Sequence, residues 1–331
     1  MADANLSDLE TDNGSCFLCG SRNPSVTQEH VFPKWLQQRY DLWDETIELL
    51  NGTEMPYRQL KIPCCAACNR EDLSRLEGTI SAAVAAGYDA CSKLDERLLY
   101  SWAGKIYFGI LRKEVDLSAD RSRADSEKIL PAATLKSFSD LHLFLQGVRG
   151  AHEFPKERPY SVLVCNLHDV GSPRDYCFRD SLFHMTLAIR MGEIGIVVAL
   201  EDCGLTKGSY GSYLAAVAGR KLHPVQFDEL YAKALYQASL VQGGITYITT
   251  KAISGVRPAQ TRLLDGGYVH QWSQEEYSRV LEPIVSVWLR SEASQRQWFV
   301  PPNLVPTWMT DQAGELLLQP LSRWEGAALD A

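Results

Sequence analysis

The chain has no apolar run of the roughly 18 residues that a membrane-spanning helix needs. Its first residues, MADANLSDLETDNGS, have neither the basic start nor the apolar core of a secretory signal. Residues 1–14 read as a flexible tail, no membrane partner is expected, and a reducing cytoplasm is the expected compartment. Basic charge is also scarce: 33 Lys and Arg stand against 41 Asp and Glu, a net charge of -8. That balance disfavours a protein that grips nucleic acid over a broad surface of its own. There is no internal repeat and no low-complexity segment. No phosphate-cradling glycine loop is found, since residues 204–209 (GLTKGS) lack the required spacing.

Among 331 residues there are nine cysteines, an odd number, and four of them form two Cys-x-x-Cys pairs, Cys16/Cys19 and Cys65/Cys68. Without an export signal this usage favours a metal over disulfides. Two such pairs read as one structural zinc site. Gly20, just after the first pair, supplies the backbone freedom of a tight turn. Cys64, Cys91, Cys165, Cys177 and Cys203 read as small core residues.

Between the pairs lie Glu29-His30-Val31-Phe32-Pro33, and Asn69 directly follows Cys68. Val26 and Val31-Phe32 suit a short strand that carries Glu29 and His30 near its end. Pro33 fits the first position of a helix over 34–40, with Trp35 and Leu36 turned inward and Lys34 and Arg39 as the nearest basic groups. Residues 46–62 read as a β-hairpin about Asn51-Gly52, with 57–62 as its second arm. Leu73, Leu76, Ile80 and Val84 recur at helical spacing after Cys68.

Taken in order, Cys16-x-x-Cys19, Glu29-His30-Val-Phe-Pro33 and Cys65-x-x-Cys68-Asn69 resemble the HNH endonucleases of the ββα-metal fold, over about residues 14–85. The resemblance implies Cys16, Cys19, Cys65 and Cys68 as ligands of a structural Zn²⁺, and His30 as general base. It implies Glu29 and Asn69 as ligands of a catalytic Mg²⁺ or Mn²⁺. The acidic residue is Glu where many members have Asp. The middle asparagine of the motif has no clear counterpart, Asn51 being the one candidate, in the hairpin turn. The implied activity is hydrolysis of nucleic-acid phosphodiester bonds, with DNA as the expected substrate.

The chemistry stands on the residues as well. A neutral imidazole can take a proton from water near pH 7. A carboxylate and an amide oxygen form a sparse, hard ligand set that suits Mg²⁺ or Mn²⁺ better than a second zinc. Other readings stay open: a zinc ribbon in a binding module, a packed or zinc-bound His30, and Asn69 as a helix cap. The alternative function is a catalytically inactive zinc-stabilised adaptor.

The remaining chain reads as a larger mixed α+β region, so the expected architecture is α+β: a tail over 1–14, a nuclease domain over 15–88, and a regulatory or targeting domain over 89–331. Residues 88–115 read as one long buried-face helix and 116–128 as a surface loop. A helix follows Pro131 to about 146, and strands lie near 160–167, 183–190, 194–200 and 245–250. Further helices are expected over 226–240 and from Ser273 to about 290, the latter opened by a Ser-x-x-Glu capping box. A small nuclease head on a large region without nameable motifs resembles effectors of bacterial anti-phage systems. A controlling partner protein or a homo-oligomer then fits the acidic balance.

Overall fold

The computed structural model describes residues 14–22, 26–115, 117–123, 125–150, 152–154, 158–169, 175–242, 246–250, 259–265, 268–288, 307–310 and 317. The chain divides into two compact units. The first comprises Met1–Ala86, Leu94–Glu157 and Thr246–Leu264; the second comprises Gly87–Lys93, Arg158–Ile245 and Asp265–Ala331. Among the described residues no helix is long and apolar enough to cross a membrane.

The first unit starts with strand β1 (Val26–His30) and helix α1 (Lys34–Arg39). A hairpin of β2 (Thr46–Glu48) and β3 (Glu54–Pro56) follows, closed by Asn51 and by Gly52 at φ +71°. The second arm of this hairpin is 54–56, not 57–62. Pro56 breaks the ladder, a 3-10 turn at Tyr57–Gln59 redirects the chain, and β4 (Lys61–Cys65) pairs antiparallel with β1. The register sets Val26 opposite Cys65 and His30 opposite Lys61. A π-helical turn, Cys68–Leu73, leads into helix α2 (Ser74–Ala86), which buries Leu76, Ile80, Ala83 and Val84 as its spacing predicts.

The single helix expected over 88–115 is two. Gly87, at φ +93°, ends α2, and a short helix α3 (Tyr88–Cys91) belongs to the second unit. Helix α4 (Glu96–Glu114) starts afresh at Asp95, whose side chain accepts from Arg97 N at 3.0 Å. Residues 99–112 of α4 are buried on every face, so it is a central core helix rather than an amphipathic one. It reaches the β1–β4 pair closely because Gly109 has no side chain: a Cβ there would lie 3.0 Å from both Val31 Cγ atoms and 3.2 Å from Ile62 Cδ1. The N-terminal unit therefore runs well past the boundary expected near residue 88. Past a 3-10 segment, Ala132–Phe138, helix α5 (Ser139–Leu145) and strand β5 (His152–Glu153) complete this stretch.

The second unit is built on an antiparallel sheet of β6 (Ser161–Asn166), β7 (Tyr176–Ser181), β8 (Thr186–Met191) and β9 (Ile194–Ala199), in the order β6-β9-β8-β7. All six residues of β9 are buried. Helices α6 (Leu205–Ala216) and α7 (Pro224–Ser239) follow, and α7 crosses so closely that a Cβ at Gly195 would meet the Phe227 ring at 2.6 Å. Strand β10 (Val241–Gln242) comes next. The chain then returns to the first unit, where strands β11 (Thr246–Thr250) and β12 (Ala259–Asp265) form a sheet with β5, before β13 (Tyr268–Val269) pairs with β10 in the second unit. Helix α8 (Gln274–Val285) opens on Ser273, whose hydroxyl accepts from Glu276 N at 3.3 Å. Trp308, fully buried, docks into this unit's core; its backbone N–H donates to Glu229 at 2.6 Å. Leu316, Leu318 and Trp324, apolar residues further along the chain, lie outside the described residues.

Candidate metal centre and nuclease-like site

The first cysteine pair sits in a tight knuckle. Gly20 N donates to Cys16 O at 2.8 Å, with Gly20 at φ +69°. Phe17 N donates to Pro63 O at 2.9 Å, which lays the knuckle beside β4. Helix α5 and the turn after it fasten the same loop: His142 Nε2 lies 3.0 Å from Phe17 O, and Gln146 Nε2 donates to Leu18 O at 2.6 Å. The second pair spans the passage from β4 into the π-helical turn. The sulfurs of Cys16, Cys19, Cys65 and Cys68 then lie within 4.8 Å of one another. Four cysteines so placed suit a structural metal such as zinc, and their binding would couple directly to folding of this unit. Hydrogen bonds from Cys19, Cys64 and Cys68 hold the Cys16 thiol far below its usual range, while Cys16 in turn pushes Cys19 up to about 11. Crowded sulfurs of this kind cannot all ionise unless a cation joins them.

A fifth sulfur is present. Cys64, read from the sequence as a core residue, is fully buried with its Sγ 3.9 Å from that of Cys16. Of the two neighbours on β4, Cys65 belongs to the four-sulfur cluster, while Cys64 meets it through Cys16.

Glu29 and His30 end β1, as the sequence predicts, and both are buried. They also face opposite ways. Glu29 points to the helices, where its Oε1 lies 2.7 Å from Lys105 Nζ of α4. The same ammonium lies 2.9 Å from Glu77 Oε1 of α2, and donates to the backbone carbonyls of His30 at 2.5 Å and Val31 at 3.1 Å. Burial would lower the Lys105 pKa, but the Glu77 and Glu29 carboxylates outweigh it and raise the pKa above the ordinary lysine value. Burial raises the Glu77 carboxyl, opposed by Lys105.

His30 lies on the other side. Gln37 Nε2 donates to Phe32 O at 2.6 Å and lies 3.4 Å from His30 Nδ1. The Trp43 ring stands 5.9 Å from the imidazole. Burial pulls the His30 pKa down to about 4, with the positive charges of Lys61 and Lys34 acting in the same sense.

Asn69 neither caps its own helix nor meets Glu29 or His30 through a hydrogen bond. Its Nδ2 donates to Thr27 Oγ1 at 3.2 Å, and Thr27 Oγ1 donates to Cys64 O at 2.8 Å. It thus ties the start of the helix to β1 two residues before Glu29. Asn51 is committed to the hairpin turn: its Oδ1 accepts from Thr53 N at 3.1 Å and its Nδ2 donates to Ser118 O at 2.9 Å. Glu29 Oε1 is thus paired with Lys105, and the Asn69 N–H is committed to Thr27.

Sequence reasoning missed Lys105, Glu77, Gln37 and Trp43. Lys105 carried a signal, because a lone charge in the apolar run Tyr100 to Leu111 must be paired if that run is buried. Compared with protein-family models, curated proteins and solved structures, the chain finds no match.

Proposed function

We propose that the chain is an endonuclease of the HNH type, acting on DNA, with His30 as the general base. One observation carries this reading. β1 and β4 form an antiparallel pair, β4 runs straight into the helix that begins at Cys68, and Asn69 in that helix is bonded back to β1. Two strands and a helix, stapled by four cysteines, hold a neutral histidine at a strand end.

In this reading the His30 imidazole, uncharged near neutral pH, accepts the proton of a water attacking phosphorus. Lys34 and Lys61, whose charges act on His30, draw the phosphate to the same place. Gln37 and Trp43 fix the ring. The four sulfurs hold a structural zinc that keeps the knuckle, β4 and the helix in register. The resemblance adds a Mg²⁺ or Mn²⁺ ion to relieve phosphate charge. The second unit targets or controls the first, and the net charge of -8 assigns part of the DNA grip to a partner or a second copy. Anti-phage defence is the setting that the resemblance suggests.

The test is nicking of supercoiled plasmid by purified zinc-loaded protein with Mg²⁺, with Mn²⁺ and with chelator, beside His30→Ala of equal zinc content. Cutting by the parent that His30→Ala abolishes supports the reading. Equal cutting by both removes His30 from the chemistry. No cutting under any condition, with partner-free and oligomeric fractions both assayed, favours the inactive adaptor.

A further inference from the structure

The side chain that Glu29 meets is a cation already built into the fold. Lys105 Nζ sits among four oxygens: Glu29 Oε1 at 2.7 Å, Glu77 Oε1 at 2.9 Å, and the carbonyls of His30 at 2.5 Å and Val31 at 3.1 Å. The lysine side chain is 1% exposed and that of Glu29 is 10% exposed, so water does little of this solvation. Two carboxylates and two carbonyls form an all-oxygen cage of the kind that hard divalent ions take. Here an ammonium fills it and offsets the charge of carboxylates held this close.

We infer that the Lys105 ammonium holds the cation position of this motif, so that the nucleic-acid-free protein carries no divalent ion on Glu29. Lys105 is then a positioning residue. It fixes the carbonyls of His30 and Val31, and through them the angle at which His30 leaves β1. The inference concerns the strand end on which the nuclease reading rests, but metal binding is read here without cleavage, so either can fail alone.

Lys105→Ala leaves the cage and frees the volume of the lysine stem for an ion and its waters. Thermal unfolding of zinc-loaded protein is followed with and without Mn²⁺ for the parent, Glu29→Gln, Lys105→Ala and Lys105→Ala/Glu77→Gln. In the parent, Mn²⁺ should give no stabilisation that depends on Glu29. In Lys105→Ala, Mn²⁺ at a hundred-fold excess over its dissociation constant should raise the midpoint by on the order of 5 °C. Adding Glu77→Gln should remove most of that gain. A Mn²⁺ shift in the parent that Glu29→Gln abolishes would overturn the inference. A folded Lys105→Ala protein indifferent to Mn²⁺, or one that stays unfolded at saturating Mn²⁺, would also count against it, because neither is the behaviour of an oxygen cage that lacks its cation.

Discussion

Replacing Lys105 by Met keeps the length of the side chain and removes its charge. Four oxygens then lose their donor at once, two of them carboxylate oxygens of Glu29 and Glu77. Removing one member of a buried, hydrogen-bonded ion pair costs about 3–5 kcal/mol, because the charge left behind stays buried. Glu29 and Glu77 retain some access to water, which places the expected cost near the lower end, about 3 kcal/mol. Small domains are stable by about 5–15 kcal/mol, so the variant should fold but unfold at clearly lower urea. Glu77→Gln added to Lys105→Met removes one of the stranded charges. The double variant should be more stable than the sum of the single effects implies, by at least about 1 kcal/mol of coupling. Urea unfolding of zinc-loaded protein, followed by circular dichroism at fixed pH, gives all four corners of the cycle. A Lys105→Met cost below about 0.5 kcal/mol, the size of an ordinary surface change, would refute the claim that this ammonium is a buried partner of Glu29 and Glu77.

Two further outcomes are expected. Cys64→Ala should retain one zinc per chain while Cys65→Ala loses it, as measured by elemental analysis after gel filtration, because only Cys65 belongs to the four-sulfur cluster; zinc loss from Cys64→Ala would make the fifth sulfur a ligand. Asp180, raised by burial to about 6, is protonated more readily in the folded than in the unfolded chain. Its contribution to stability is therefore present at low pH and is lost as pH rises through about 6, so Asp180→Asn should stabilise at pH 8, on the order of 1 kcal/mol, with the gain gone at pH 4. A pH-independent effect in thermal unfolding would contradict that.

Much of the N-terminal arrangement was legible because its signals are local. Cys-x-x-Cys spacing, the glycine after it, and apolar residues three and four apart each depend only on near neighbours in the chain. The same holds for Ser273 as a helix cap. The sequence reading of residues 57–62 fails because a short mixed segment fits either of two partners. The choice of β1 over β2 was made by Pro56 and by the burial that pairing with β1 provides. Strand β7 and helix α6 went unnoticed: the burial of β7 does not alternate, and α6 carries Gly208 and Gly211 with only Thr206 buried, so neither shows a periodic apolar face.

By itself the sequence determined which atoms are available: four paired thiols for one metal, a histidine beside a carboxylate, an asparagine at the head of a helix. Only the tertiary structure decided what those atoms face. Lys105 lies 76 positions after Glu29, and no pattern of spacing links the two. Helix α4 brings them together because Gly109 lets it lie against β1 and β4, and a buried carboxylate takes whichever cation the packing delivers. For the same reason Cys65, and not its neighbour Cys64, joins the cluster: the packing brings the Cys65 sulfur within reach of the other three, while the Cys64 sulfur meets Cys16 at 3.9 Å.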